Sequence, residues 1–294
     1  PKLNENVSLK NQDIQIDFQN DKLLINGSGE IFLQNKKDEL TYKIDKKKDI
    51  LNFDSSLKLL ENPFIIKFLD YEKKSNNDLI ISINGKKKLK DQTEFFSISL
   101  KEKANEIIVE NLVMSKELNI LNLKKAKVRY LDKNGLQNDY NITSKNNNYF
   151  LSGSFFNADS LLRTIMNDET ETNVIKKKFN LDVKIDKLFF DKTYSLSNLR
   201  GNLSFNNQKI FNGNLVGNFS NNKKLNLTIK TSGNEKITTL YLDKAEVLVN
   251  RYEFVKGFEE GVLDFYSTKK NNESLSTLKI YDFKLKELPI LTKL

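Results

Sequence analysis

The sequence predicts an all-β fold, and three observations carry that prediction. Apolar and polar residues alternate in segment after segment: Leu181, Val183 and Ile185 with Asp182, Lys184 and Asp186, then Leu225, Leu227 and Ile229 with Asn226, Thr228 and Lys230, and Ile14, Ile16 and Phe18 near the start. Successive side chains of a strand point to opposite faces, so each segment is a ribbon apolar on one side and wetted on the other. These segments recur about every 8–12 residues between polar turns. The composition, 38% hydrophobic and 30% charged over 294 residues, is lean for a compact globule and suits an elongated one with a thin core.

In chain order, strands are expected around Val7–Leu9, Ile14–Phe18, Leu23–Ile25, Ile31–Leu33, Leu40–Ile44 and Leu51–Leu59. Asn20-Asp21, Asn26-Gly27 and Asn35-Lys36 read as turns, and Gly27-Ser28-Gly29 as a hairpin, because no Lys-Ser/Thr and helix follow to make it a P-loop. Pro63 marks a break before Phe64–Leu69. Further strands follow at Leu79–Ile83, Phe95–Leu100, Ile107–Leu112, Leu118–Leu123, Ala126–Tyr130 and Tyr149–Phe155.

A helix then interrupts the rhythm. Asn157 suits its N-cap, Asp159 its first turn, and Leu161, Leu162, Ile165 and Met166 share one face. With the polar run to Lys178 it divides the chain into a β segment 1–156, a connection 157–178 and a β segment 179–294. Strands resume at Leu181–Phe190, Leu196–Phe205, Ile210–Phe219, Leu225–Lys230 and Ile237–Leu242. A second helix is expected over 243–256, with Asp243 and Glu246 at capping-box spacing, Ala245, Leu248, Tyr252 and Val255 on one stripe, and Gly257 as its stop. Val262–Tyr266 and Ser276–Phe283 read as a hairpin across Lys269–Glu273, and Pro289 suits the first turn of a third short helix. The chain opens on Pro1 rather than Met and closes inside that helix, so it reads as an excerpt of a longer protein.

The polar residues offer little chemistry. Cysteine and histidine are absent, which removes disulfides, thiolates, most zinc sites and His-based triads. Carboxylates alternate with lysines along strands as on a solvated face, so no catalytic residue, metal ligand or cofactor site is assigned and the chain is read as non-enzymatic. The net charge of +9 comes almost wholly from lysine, with arginine only at 129, 163, 200 and 251, a pattern that argues against nucleic acid as a partner. No stretch of about 18 apolar residues is present to span a bilayer as a helix.

The apolar stripes are the signal. Alternation alone fits a filled sandwich better than a single sheet with an open apolar face, and also admits a membrane barrel without evident aromatic girdles.

The C-terminal half adds motifs. Gly153-Ser154-Phe155-Phe156-Asn157-Ala158-Asp159-Ser160-Leu161-Leu162 is followed by Leu196-Ser197-Asn198-Leu199-Arg200-Gly201-Asn202-Leu203, then Leu215-Val216-Gly217-Asn218-Phe219, then the glycine-ended helix before Gly261-Val262-Leu263-Asp264-Phe265. The chain ends on Ile280-Tyr281-Asp282-Phe283-Lys284-Leu285-Lys286-Glu287-Leu288-Pro289. In this order, over residues 115–294, the chain resembles the C-terminal region of bacterial AsmA-like proteins of the YhdP type. The resemblance implies a strongly curved antiparallel sheet forming an open hydrophobic groove. It also implies a bridge-like lipid carrier that is held in the periplasm by an inner-membrane anchor outside this excerpt and moves phospholipid between the inner and outer membranes. Phospholipid and the two membranes are the implied partners. The lipid-facing residues are then expected to be Leu181, Val183, Ile185, Leu203, Phe205, Leu215, Phe219, Leu225, Leu227, Ile229, Leu263, Phe265, Leu278, Ile280 and Phe283, with the helices around 161–166 and 245–255 plugging or buttressing the trough. The alternative is a structural or outer-membrane assembly scaffold with a filled core and no lipid.

Overall fold

The computed structural model describes residues 7–33, 36–74, 77–88, 91–159, 178–206, 209–220, 223–251, 255–271 and 273–286. The chain is 75% strand and 4% helical in a sheet that is not closed, which bears out the all-β class. Contacts among the described residues separate two units, 7–145 and 146–286.

The first unit is an antiparallel meander of nine long strands: β1 (Ser8–Gln19), β2 (Lys22–Leu33), β3 (Lys36–Lys47), β4 (Ile50–Leu59), β7 (Leu79–Lys88), β8 (Thr93–Glu102), β9 (Asn105–Met114), β10 (Ile120–Leu131) and β11 (Gln137–Lys145). Between β4 and β7 lies an insertion with the short pair β5 (Ile65–Ile66) and β6 (Tyr71–Glu72) around a 3-10 turn, Lys67–Leu69. Directly opposed residues share a face. Ile14, Gly27, Tyr42, Ser55, Ile83, Ile98, Val109, Ala126 and Ile142 therefore form one row across all nine strands.

The insertion covers one end of this face. Tyr71 is fully buried, stacks edge-on to Tyr130, and donates its hydroxyl to Glu102 at 2.7 Å. Glu102 also accepts from the Lys74 N–H, Asn77 and Asn105. Burial pushes the Glu102 carboxyl up, but these four donors outweigh it and hold the pKa below the usual value of 4.5. The Tyr130 hydroxyl closes the end by donating to the Leu69 carbonyl at 2.7 Å.

The second unit holds β12 (Asn148–Asn157), β13 (Phe179–Phe189), β14 (Ser195–Asn206), β15 (Lys209–Asn218), β16 (Lys224–Ser232), β17 (Glu235–Leu242), the one-turn helix α1 (Glu246–Val249), β18 (Phe258–Lys270) and β19 (Glu273–Leu285). Neighbours pair antiparallel except β12 and β13, which are parallel. A parallel pair needs a crossover of a dozen or more residues, and residues 158–178 supply that length. The Asn157 side chain accepts the Asp159 N–H at 3.0 Å, as an N-cap would. The helix expected at Leu161–Met166 and the one expected at Pro289 lie outside the described residues.

Several expectations are corrected. Gly27-Ser28-Gly29 is no hairpin but the middle of β2, so the segments at Leu23–Ile25 and Ile31–Leu33 are one strand. The Tyr42 ring occupies the place a Cβ on Gly27 would take, so glycine here makes room for a cross-strand tyrosine. Val7–Leu9 and Ile14–Phe18 are likewise joined, in β1. A bulge at Lys10–Asp13, with Asn11 at φ 49°, keeps Leu9 and Ile14 on the same face. Leu118–Leu123 and Ala126–Tyr130 belong to one strand, with Ile120–Leu131 as its bounds. Phe64–Leu69 is a two-residue strand, Ile65–Ile66, followed by the 3-10 turn Lys67–Leu69. Strand β11, rich in Asn and Gln, was not expected at all.

Helix α1 has no capping box. The Asp243 carboxylate accepts instead from the Lys224 N–H and the Tyr241 hydroxyl, and Glu246 accepts the Glu260 N–H at 2.6 Å. The side chains that α1 buries are Val247 and Val249, next to Ala245, while Val255 is exposed. Of the expected stripe, Ala245 is buried, Leu248 half-buried and Val255 exposed, and Tyr252 lies outside the described residues.

Candidate functional site

The registers of the second unit bring most of the expected residues together. Leu151, Val183, Gly201, Leu215, Leu227, Leu240, Phe265 and Leu278 form one row across all eight strands. A second row runs Gly217, Leu225, Leu242, Leu263 and Ile280. A third runs Leu181, Leu203, Gly213 and Ile229, then turns polar at Thr238 and Ser267. Phe205 lies beyond Leu203, stacked on Phe179 at 4.6 Å between ring centres.

Two residues depart from simple alternation. Phe219 follows the end of β15 and stacks on Phe190 at 6.1 Å. Phe283 stacks on Phe258 at 5.1 Å beside Gly261. Glu260, Gly261 and Asp282 all hold positive φ, and these left-handed residues interrupt the alternation of β18 and β19 there.

Within this face lies a cavity of about 280 Å³. All fifteen lining residues are apolar, and seven were expected: Leu181, Val183, Ile185, Leu203, Leu215, Leu225 and Leu227. Sequence reasoning missed the other wall, formed by Leu188, Phe190, Leu196 and Leu199 with Leu151 and Leu240 among the rest. Alternation with Gly201 and Leu203 carried the signal for Leu199, whereas Leu188 falls out of phase with Ile185 because Lys187 takes the in-phase position. Volume and lining resemble the low end of small apolar ligand sites.

Burial across the face is uneven. Beside α1 it is a packed core: Ile185 is 0% exposed, Leu196 1% and Leu242 2%. Val183, Leu203 and Ile229 are buried as well, whereas Leu181, Leu215, Leu225, Leu227 and Leu240 are half-buried and Leu278 is exposed. Arg251, just after α1, fixes the packed end. Its guanidinium donates to the Phe190 and Asp159 carbonyls and pairs with the Asp159 carboxylate at 2.9 Å. Asn250 adds a bond to the Tyr194 hydroxyl.

The opposite face is mixed, with charged pairs beside exposed Phe150, Val216 and Tyr266. Arg200 pairs with Asp186 at 2.7 Å, and Tyr281 and Lys279 flank Asp264 on the last strands. The Tyr241 hydroxyl, bonded to the Asp243 carboxylate, is pushed up to about 12. Among the described residues no cluster of carboxylates suits a metal ion, and no helix is long and apolar enough to cross a membrane. Comparison of the chain with family models, curated proteins and solved structures finds no match.

Proposed function

We propose that the second unit shelters hydrocarbon: its apolar face receives lipid acyl chains, without catalysis, as one segment of a longer lipid-conducting protein. The observation that carries this reading is the wholly apolar cavity continuing into rows of half-buried leucines. Water gains nothing by wetting these side chains, and an acyl methylene that replaces it gains about 0.8 kcal/mol. About ten methylenes on such a surface amount to about 8 kcal/mol, comparable to what membrane insertion of the same length offers. Transfer along the face then needs no covalent step. Head groups stay in water.

The resemblance to AsmA-like proteins supplies the biological setting of the proposal: a curved groove in the bacterial periplasm, anchored at the inner membrane, with phospholipid as cargo. The filled end beneath α1 marks where the proposed path narrows.

Site-specific photo-cross-linking tests the reading. A benzophenone side chain at Leu227, on the apolar row, is expected to capture phospholipid from the expressing cell, whereas the same group at Asn226, on the opposite face, captures none. Equal capture at both positions, or none at either, overturns it.

A further inference from the structure

The first unit carries a cavity of different chemistry. It measures about 450 Å³, and its lining brings together Lys36, Lys73, Lys74 and Lys133 with two exposed carboxylates, Glu61 and Glu72. Lys133 is already paired with Asp70 at 3.0 Å. Lys73 is different: it is 5% exposed, and its ammonium donates one hydrogen bond, to the Leu60 carbonyl at 2.8 Å. Among the described residues no carboxylate oxygen lies within 4.0 Å of it. An ammonium has three donors, and a buried cation without a counter-charge is costly.

Beside it, Asn62 is 3% exposed. Its Nδ2 donates to the Lys36 carbonyl at 3.1 Å and to the Asp38 carboxylate at 2.6 Å. Both partners are acceptors, which fixes the amide orientation and leaves Oδ1 of this lining residue buried and without a hydrogen-bond partner. Asp38 is fully buried, and its other oxygen takes the Leu60 N–H at 2.8 Å. The site therefore offers cationic donors and one orphaned acceptor.

We propose that this cavity binds a phosphate monoester or inorganic phosphate. An oxyanion supplies the counter-charge that Lys73 lacks and takes its two remaining N–H donors, while Lys36 and Lys74 add charge at the mouth. The orphaned Asn62 oxygen selects among oxyanions. A phosphate with a second pKa near 6 keeps its P–O–H in only part of its population at pH 6.5, and binding draws on that protonated form, whose hydroxyl donates to Asn62 Oδ1. Sulfate and carboxylate carry no proton there and leave Oδ1 unsatisfied, as does a phosphodiester.

The same chemistry has two sources, free phosphate or the monoester head group of a lipid. This proposal stands on the first unit alone, so its failure and that of the hydrocarbon reading are separate results. The test is the thermal midpoint of the whole chain at pH 6.5 in inorganic phosphate, sulfate and chloride of equal ionic strength. A parallel arm measures sedimentation with phosphatidylcholine vesicles containing phosphatidic acid or phosphatidylglycerol.

Phosphate is expected to raise the midpoint, sulfate not, and Lys73→Met to abolish the rise. The surface pair Lys36→Ala with Lys74→Ala weakens the response about tenfold and serves as the deciding variant should Lys73→Met not fold. A response to phosphate assigns the free anion. A Lys73-dependent preference for phosphatidic acid over phosphatidylglycerol, without a response to phosphate, assigns the head group. Equal effects of phosphate and sulfate, a response that survives Lys73→Met in a folded chain, or no response in either arm overturns the proposal.

Discussion

Asparagine does more in this chain than its composition suggests. Fourteen described non-glycine residues hold a positive φ, and seven are asparagines: 11, 20, 111, 146, 147, 198 and 271. Three more are aspartates, Asp21, Asp70 and Asp282. Both side chains tolerate the left-handed region by bonding locally. Turns such as Asn20-Asp21 were legible because their residue types demand that backbone. Bulges at Asn11 and Asn198 were not, because a bulge depends on the opposing strand, which the local sequence does not contain. Gly27 was misread for the same reason, since its partner is Tyr42, fifteen positions away in the chain.

Two predictions belong to single residues. Glu102 has its folded pKa lowered, so its contribution to stability is fully present above its unfolded value near 4.5 and is lost as pH falls through the folded value. Glu102→Gln is expected to lower the urea midpoint of the first unit at pH 7, with the gap to the parent narrowing toward pH 3. A gap that stays constant with pH contradicts the account. Arg251, nine-tenths buried with Asp159, gives the second. Arg251→Met removes this ion pair together with the bonds to the Phe190 and Asp159 carbonyls and is expected to cost about 3 kcal/mol. Arg251→Met with Asp159→Asn recovers most of the loss, and a double variant as unstable as the single one in chemical denaturation argues against the pairing.

At the scale of elements, each unit combines an apolar sheet face with an insertion that covers one end. In the first unit residues 60–78 do this through Tyr71, Glu102 and Tyr130, and in the second α1 does it through Val247, Val249 and Arg251. Strand identity was largely readable because alternation is a local property. Strand length was not, and neither was β11, whose Tyr140 and Ile142 are too few to stand out among polar neighbours. The insertions were harder still. Their buried side chains satisfy contacts with distant strand ends, so α1 buries Val247 and Val249 in place of a helical stripe.

Disrupting α1 tests its role as a cover. Val247→Asp with Val249→Asp is expected to leave the hairpin β18–β19 formed while amide-exchange protection falls at Leu196, Leu242 and Leu263, the residues under the covered end. Unchanged protection there counts against α1 as a cover.

For the molecule as a whole, the balance of apolar side chains is the informative quantity. Among the described residues twenty-five hydrophobics are buried, and twenty-one large ones are exposed, from Leu9, Ile16 and Phe18 on β1 to Leu275, Leu278 and Phe283 on β19. Leu278 and Phe283 belong to the apolar face of the second unit, whereas Phe150, Val216, Tyr266 and Tyr281 lie on the opposite face and Phe68 and Val255 in connections. The C-terminal face was legible at the level of rows: alternation placed Leu181, Val183, Leu215, Leu227, Phe265 and Leu278 on one side. It gave no account of which residues in those rows are buried, such as Leu242 beside half-buried Leu225, because packing under α1 depends on tertiary contacts.

The most direct test of the hydrocarbon reading is the lipid content of the purified chain, measured by mass spectrometry after organic extraction, for the parent and for Leu215→Asp with Leu227→Asp. These positions are half-buried, so the variant is expected to stay folded by circular dichroism, unlike Ile185→Asp in the packed end. The account predicts phospholipid in the parent preparation and its loss from the folded Leu215/Leu227 variant. A parent chain that carries no lipid, or a variant that unfolds as Ile185→Asp does, contradicts it.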